Sequence, residues 1–124
     1  MKSIIVDVDT GIDDALAIAY AVHSPEIELL GLTTCFGNVT VEKATRNSRL
    51  VLEKLGRSDI PVYAGAGETL NRGLNGDFPH VVHGHDGLGN LIDEEPTDEM
   101  AHSDQHAVDY LIEQVKNKPG KITY

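Results

Sequence analysis

Short apolar runs alternate with helical segments along this chain, and that alternation restricts the possible folds more than any other sequence feature. The first run, residues 3–8, is rich in β-branched residues and continuous, which is typical of a strand buried on both faces. Strands joined by helices lie parallel, because each right-handed crossover returns the chain to the same end of the sheet. The pattern therefore predicts an α/β fold built on a parallel sheet.

Six elements are predicted, in the order β-α-β-α-β and, after a long loop, a further helix. Their bounds are residues 3–8, 13–22, 27–34, 41–55, 60–64 and 105–116. The first helix is apolar on almost every face and is expected to be buried. The last helix is expected to be capped by Ser103 and to turn four apolar residues inward. These are Val108, Leu111, Ile112 and Val115. We expect a Rossmann-like open, mostly parallel sheet with helices on both faces.

The length of 124 residues fits a single domain over residues 1–124, with one segment that has no clear period. Residues 65–104 hold many Gly, Asp and His, and so long a loop inside a domain is typical of an active-site loop. The residues after Pro119 and Gly120 look like the start of a further parallel strand. We therefore expect the chain to be the amino-terminal part of a longer protein, with a truncated fold.

Charge and composition argue against several classes of partner. The chain has 10 Lys and Arg residues against 20 Asp and Glu residues, a net charge of −10 with His neutral. A chain this acidic is repelled by nucleic-acid phosphates and by anionic membrane surfaces. Cys35 is the only cysteine, a charge comes too early for a signal peptide, and no apolar run reaches membrane-spanning length. These features favour a cytoplasmic protein.

Four aspartates crowd the end of the first predicted strand and the start of the first helix. They are Asp7, Asp9, Asp13 and Asp14. Two like charges ~4 Å apart cost about 1 kcal/mol in water and about 4 kcal/mol near a protein surface. A helix start offsets only about 0.3–1 kcal/mol per carboxylate, whereas a divalent cation offsets far more. Oxygen ligands on a turn made tight by Gly11 suit Ca²⁺ or Mg²⁺, so a metal site is favoured over simple helix capping.

Two other sites fit the aspartates less well. An EF-hand loop counted from Asp7 needs an acidic or amide residue and then Gly, where Gly11 and Ile12 stand. A Mg²⁺-dependent phosphatase of the haloacid dehalogenase type would use Asp7 as nucleophile with Asp9 beside it. Gly11, however, takes the place of the hydroxyl residue or Val of that pattern. The phosphatase stays open as an alternative function.

Several motifs in a fixed order carry a family resemblance over residues 3–89. They are Asp7-Val8-Asp9-Thr10-Gly11-Ile12-Asp13-Asp14-Ala15, Cys35-Phe36-Gly37-Asn38-Val39-Thr40, Thr45-Arg46-Asn47, Ile60-Pro61-Val62-Tyr63-Ala64-Gly65 and Val82-His83-Gly84-His85-Asp86-Gly87-Leu88-Gly89. Together they resemble the signatures of the inosine/uridine-preferring nucleoside hydrolases. Thr10 stands where that family usually has Pro, and because Thr does not fix φ, we expect a looser turn.

The resemblance implies a Ca²⁺-dependent enzyme that hydrolyses the N-glycosidic bond of ribonucleosides to free base and ribose, in purine or pyrimidine nucleoside catabolism and nucleotide salvage. Carboxylates suit this reaction because they stabilise an oxocarbenium-like transition state. By resemblance, Asp9 matches the general base and a calcium ligand, and Asp14 a second calcium ligand. Asp13 matches a carboxylate that binds ribose hydroxyls, and Asn38 an amide near the metal and ribose.

Two residues have two interpretations each. Asp7 either orients the turn from behind the metal ligands or bonds nearby backbone amides at a strand end. His83 either lines the base pocket and donates a proton to the leaving base, or packs as a loop histidine. A zinc site of His80, His83, His85 and Asp86 is a further, weaker alternative, since no Cys lies near them.

The family's other calcium ligands and its leaving-group histidine have no counterpart before Tyr124. We therefore expect the isolated chain to bind metal weakly and to be inactive or weakly active. For the intact protein the resemblance implies a homo-oligomer, a dimer or tetramer. A non-catalytic remnant or partner subunit is the third possible function, and the base preference stays open.

Overall fold

The computed structural model describes residues 1–71, 78–92, 94–95 and 104–124. Within these residues the elements are β1 (Lys2–Val8), α1 (Ile12–His23), β2 (Ile27–Thr34), α2 (Val41–Lys54), β3 (Val62–Ala64), α3 (His80–His83), α4 (Ala107–Asn117) and β4 (Ile122–Thr123). Every predicted strand and helix is present, with its ends within two residues of the prediction. The structure adds the short helix α3 inside the 65–104 segment.

The four described strands form one parallel sheet in the order β3-β2-β1-β4. The chain steps from β1 through β2 to β3 in one direction and then crosses to the opposite edge for β4. Because such crossovers are right-handed, α1 and α2 cover one face of the sheet and α4 covers the other. The predicted α/β fold, an open parallel sheet with helices on both faces, is confirmed.

The main core lies between the sheet and the helices α1 and α2. Its buried members are Ile18, Ala21, Leu29, Leu32, Leu52, Ile60 and Val62. The prediction that α1 is buried all round is wrong, since Leu16 is 69% and Tyr20 is 73% exposed. The sheet and α2 cover only one side of α1, so the apolar residues on its other side stay at the surface of the described chain.

Helix α4 turns a different side to the sheet than its apolar pattern predicts. Val108, Ile112 and Val115 are about half exposed, whereas Tyr110 is buried. The Tyr110 ring stacks on Tyr63 with centroids 3.9 Å apart, and its hydroxyl donates to the Leu30 carbonyl at 3.2 Å. One large anchored ring therefore sets the rotation of the helix. Its observed cap is His106, whose side chain accepts from the Val108 amide.

The structure also bears on the predicted helix caps and on membrane-spanning segments. Thr40 caps α2 as its sequence indicates, accepting from the Lys43 amide. Ser103, the expected cap of the last helix, lies outside the described residues. No helix among the described residues is long and apolar enough to cross a membrane.

Candidate active site

The carboxylate turn, residues 9–11, leaves β1 at the edge of the sheet where the parallel strands end. Val8 pairs with Thr34, so β1 and β2 finish side by side. The Cys35 amide then donates to the Val8 carbonyl at 3.1 Å and continues that pairing one residue further. The carboxylate turn and the loop after β2 are therefore neighbours, at the position where open α/β sheets bind ligands.

Asp9 and Asp14 are neighbouring carboxyl groups. Burial raises the pKa of Asp14 to about 6, and the Asp9 carboxyl and the negative charge of Asp13 add to the rise. Oδ2 of Asp14 is buried and has no hydrogen-bond partner among the described residues. A buried, unpartnered carboxylate oxygen is costly unless a ligand satisfies it.

The loop after β2 contacts Asp9 through its backbone. The Asn38 amide donates to Oδ2 of Asp9 at 2.7 Å. Gly37 lies so close that any side chain there would collide with the Asp9 carboxylate. The structure thus brings the Asn38 backbone amide to Asp9, and the absence of a Gly37 side chain makes this approach possible.

Asp7 lies two residues before Asp9, within β1. Thr33, its partner in register on β2, donates its hydroxyl to Oδ1 of Asp7 at 2.5 Å. The Cys35 thiol donates to the other oxygen, with Sγ and Oδ2 3.8 Å apart. Burial raises the pKa of Cys35 to about 11, helped by the charges of Asp7 and Asp9, so the thiol keeps its proton at neutral pH. Both oxygens of Asp7 are used in holding β1 to β2, which is not the arrangement of a free nucleophile.

His83 reaches the carboxylate turn from the 65–104 segment. It is buried, its ring lies where a side chain on Gly11 would be, and Nδ1 accepts from the Ile12 amide at 3.1 Å. Asp13 Oδ1 is 3.9 Å from the same nitrogen. Since the Nδ1 lone pair is directed at the Ile12 N–H, the neutral ring carries its proton on Nε2, and we assign no ion pair with Asp13. The Asp13 side chain itself is 77% exposed.

Three buried polar residues at this site were given no role from the sequence: Thr10, Asn47 and Ser48. The Thr10 hydroxyl lies 2.6 Å from that of Ser48. Asn47 donates to the carbonyls of Thr10 and Asp86, at 3.1 and 2.7 Å. The looser turn expected at Thr10 is therefore wrong, because hydrogen bonds to α2 hold it in place of a fixed φ.

The zinc alternative does not assemble in the described structure. The rings of His80 and His85 are tilted against each other with centroids 4.2 Å apart, whereas His83 points to the carboxylate turn. Asp86 uses Oδ1 to accept from the amides of Leu88 and Asn90. More broadly, residues 1–71, 78–92, 94–95 and 104–124 contain no cluster of three or more His, Cys, Asp or Glu side chains at metal-ligand spacing.

Comparisons with known proteins point to one family. The family model of the inosine-uridine preferring nucleoside hydrolases matches residues 4–124. The chain is 43% identical over 124 residues to uridine nucleosidase 1 of Arabidopsis thaliana, covering 98% of this chain and 35% of that protein. It is 42% identical over 123 residues to the inosine-uridine preferring nucleoside hydrolase of Leishmania major, covering 98% and 38%.

Solved structures point to the same family. A plant nucleoside hydrolase superposes with a TM-score of 0.91 at 44% identity, covering 98% of this chain and 37% of that one. A purine-preferring ribonucleoside hydrolase from Gardnerella vaginalis gives 0.89 at 36% identity, covering 98% and 38%. The chain thus spans well under half the length of the relatives it matches. From its first strand to its last residue, it belongs to the inosine-uridine preferring nucleoside hydrolase family.

Proposed function

We propose that this chain supplies the carboxylate part of a site that hydrolyses the N-glycosidic bond of ribonucleosides to base and ribose. The observation that carries the proposal is the buried, unpartnered Oδ2 of Asp14 beside Asp9, in a chain of this family. The same family membership argues against a phosphatase. The experiments below must distinguish this catalytic role from that of a non-catalytic remnant.

Ca²⁺ is the cation we propose for this pair. The donor set fits in kind, because Ca²⁺ takes carboxylate oxygens from flexible turns, and Asp14 offers an oxygen that nothing else satisfies. It fits only in part in number, because Ca²⁺ takes ~6–8 oxygens and two carboxylates supply a fraction of them. When bound, such an ion would hold a water and lower its pKa.

The chain's own residues then have separate tasks. Asp9, oriented by the Asn38 amide, takes the proton of the attacking water. Asp13, exposed at the rim, accepts hydrogen bonds from ribose hydroxyls, together with Asn38. Asp7 keeps β1 and β2 together beneath the pair through Thr33.

His83 contributes from the 65–104 segment, which we propose to be the active-site loop. Its Nδ1 accepts from the Ile12 amide, which leaves the Nε2–H of the neutral ring free to donate a hydrogen bond to the leaving base. Transfer of a proton to the base would require the imidazolium form, whose protonated Nδ1 could no longer accept from Ile12, so the bound ring serves the leaving base as a hydrogen-bond donor.

Binding of Ca²⁺ by the 124-residue chain is the first test. We expect Ca²⁺ to stabilise the folded chain and so to raise the midpoint of thermal unfolding. At a Ca²⁺ concentration 100 times Kd, the gain in the free energy of unfolding is about 2.7 kcal/mol. Asp9→Asn and Asp14→Asn should each remove the gain. Asp59→Asn, which removes an exposed carboxylate paired with Arg57, is the matched control and should keep it. Equal gains in all four proteins would refute the site.

Ribose release from inosine and from uridine, with Ca²⁺ and with EDTA, tests the reaction. We expect release that is weak or absent from the isolated chain and restored when the rest of the family domain is supplied. Restored release that Asp9→Asn does not abolish would contradict the proposed base. Fluoroberyllate trapping at Asp7 would favour the phosphatase instead. Size-exclusion chromatography of the restored protein measures the dimer or tetramer that we propose for it.

A further inference from the structure

Thr10 is fully buried in the middle of the carboxylate turn, and both its hydroxyl and its carbonyl are hydrogen-bonded to α2. Its hydroxyl lies 2.6 Å from the Ser48 hydroxyl, and its carbonyl accepts from Asn47 at 3.1 Å. Ser48 donates its own hydroxyl proton to the Ala44 carbonyl at 2.8 Å. A hydroxyl has one proton, so Thr10 must be the donor to Ser48.

This attachment matters because of where Thr10 lies in the chain. It directly follows Asp9, and α1, which carries Asp14, begins two residues later at Ile12. A rotation of the backbone at Thr10 would therefore change the distance between the two carboxyl groups. Gly11, the next residue, has no side chain of its own to resist such a rotation.

We propose that the Thr10 hydroxyl is a positioning group that sets the Asp9–Asp14 pair for a divalent cation. By donating to Ser48, it fixes the carboxylate turn on α2, so the pair does not have to be ordered when the cation binds. The metal part of this inference rests on the proposed function, whereas the backbone part does not.

A matched pair of variants separates positioning from packing. Thr10→Val keeps the shape of the side chain and removes the donor, and Ser48 still has its bond to Ala44. Thr10→Ser keeps the donor and removes a methyl group. If Thr10 only fills space, Thr10→Val should behave like the parent and Thr10→Ser should not. If the hydroxyl positions the turn, Thr10→Ser should behave like the parent and Thr10→Val should not.

The chain also offers a control of the same chemistry. Thr34 is buried, and its hydroxyl lies 2.7 Å from that of Thr45, which donates to the Val41 carbonyl. Thr34→Val thus removes the same kind of hydroxyl pair from α2, at a position outside the carboxylate turn. It should lower global stability without a selective effect on the turn.

The experiment is amide hydrogen exchange by NMR on the 124-residue chain in EDTA, followed by Ca²⁺ titration. The reporters are the amides of Ile12 and Asn38, which donate to His83 and Asp9, and the reference is the Leu32 amide in the sheet. In Thr10→Val we expect protection at both reporters to fall about fivefold more than at Leu32, the value of one hydrogen bond. Thr10→Ser should restore it, and Ser48→Ala, which removes the acceptor, should reproduce the loss if the Val variant does not fold.

The outcomes are distinct. Equal protection in the Val and Ser variants, or a selective loss in Thr34→Val, overturns the inference. If the turn loosens as expected, we also expect Ca²⁺ affinity to fall by about the same factor. An unchanged affinity in Thr10→Val overturns the metal part. A loosened turn in a chain whose parent binds no Ca²⁺ supports the positioning role and defeats the proposed function alone.

Discussion

Nδ1 of His83 accepts the backbone N–H of Ile12, 71 positions earlier in the chain, at 3.1 Å. Gly11 precedes α1 without a side chain that could cap it, so a residue from a distant loop satisfies the first amide of the helix. The first turn of α1 carries Asp13 and Asp14, and the loop and the carboxylates are therefore fixed against each other.

Replacing His83 by Ala should destabilise the fold. The change removes a buried ring and leaves the Ile12 amide without its partner, which we expect to cost about 2 kcal/mol. Urea denaturation measures it. His106→Ala is the matched control, since His106 also caps a helix through Nδ1 but is exposed. A cost no larger than that of the control would show that the His83 bond contributes little.

Asp14→Asn should stabilise the chain at pH 7 when EDTA removes metal. The folded-state pKa of Asp14 is raised from 3.8 to about 6 by burial and by Asp9. Above that value the folded protein holds a poorly solvated charge, and below 3.8 both states are protonated and the penalty is gone. Stability contributed by this group therefore falls as pH rises from 3.8 to about 6.

We expect the gain from Asp14→Asn to be on the order of 1 kcal/mol at pH 7, because part of the carboxyl remains solvated, and to vanish near pH 4. Denaturant titrations across this range measure it. Asp59→Asn is the control of opposite sign, since the hydrogen bond from Arg57 lowers the pKa of Asp59. A variant less stable than the parent at pH 7 would contradict the assignment of an unsatisfied charge.

Gly37→Ala should weaken Ca²⁺ binding, by about tenfold or more, because the added methyl group collides with the Asp9 carboxylate. Calorimetric titration measures the affinity. Gly67→Ala is the comparison, since a methyl group there meets only Val41 Cγ1, at 3.2 Å. Parent-like affinity in Gly37→Ala would mean that the loop moves freely away from Asp9.

Tyr110→Phe should cost about 1 kcal/mol, the usual net value of one hydrogen bond, because the ring stack on Tyr63 is kept and only the bond to Leu30 is lost. Chemical denaturation provides the number. Tyr20→Phe, at an exposed position, should change nothing measurable. A loss much greater than this would indicate that the hydroxyl also sets the rotation of α4.

The fold could be predicted because its signals are local. The apolar strands, the cap at Thr40 and the crossover rule together determine the parallel sheet, and the aspartates follow from the end of β1. The rotation of α4 could not be predicted, because it depends on Tyr110 meeting Tyr63, and periodicity does not encode that contact.

Part of the candidate site could also be predicted from local sequence signals. Asn47 and Ser48 follow Ala44 at helical spacing, so polar residues on a buried stripe of α2 were a signal that the sequence already contained. Their partners, Thr10 and Asp86, are up to 39 positions away, and no local rule connects them. The capping of α1 by His83 could not be predicted either, because no local rule connects residues 71 positions apart.

The bridge made by Asn47 has a consequence for the order of events during synthesis. Asn47 joins Thr10 to Asp86, so the amide group can be satisfied only after the ribosome has released the chain beyond residue 86. Until then, α1 and α2 can pack on β1 and β2, and Thr10 can bond to Ser48 and Asn47, but the Asp86 carbonyl and the His83 ring are still missing from the turn. The three strands β1, β2 and β3 are thus expected to pair cotranslationally before the site is complete, and the carboxylates are among the last parts of residues 1–86 to become ordered.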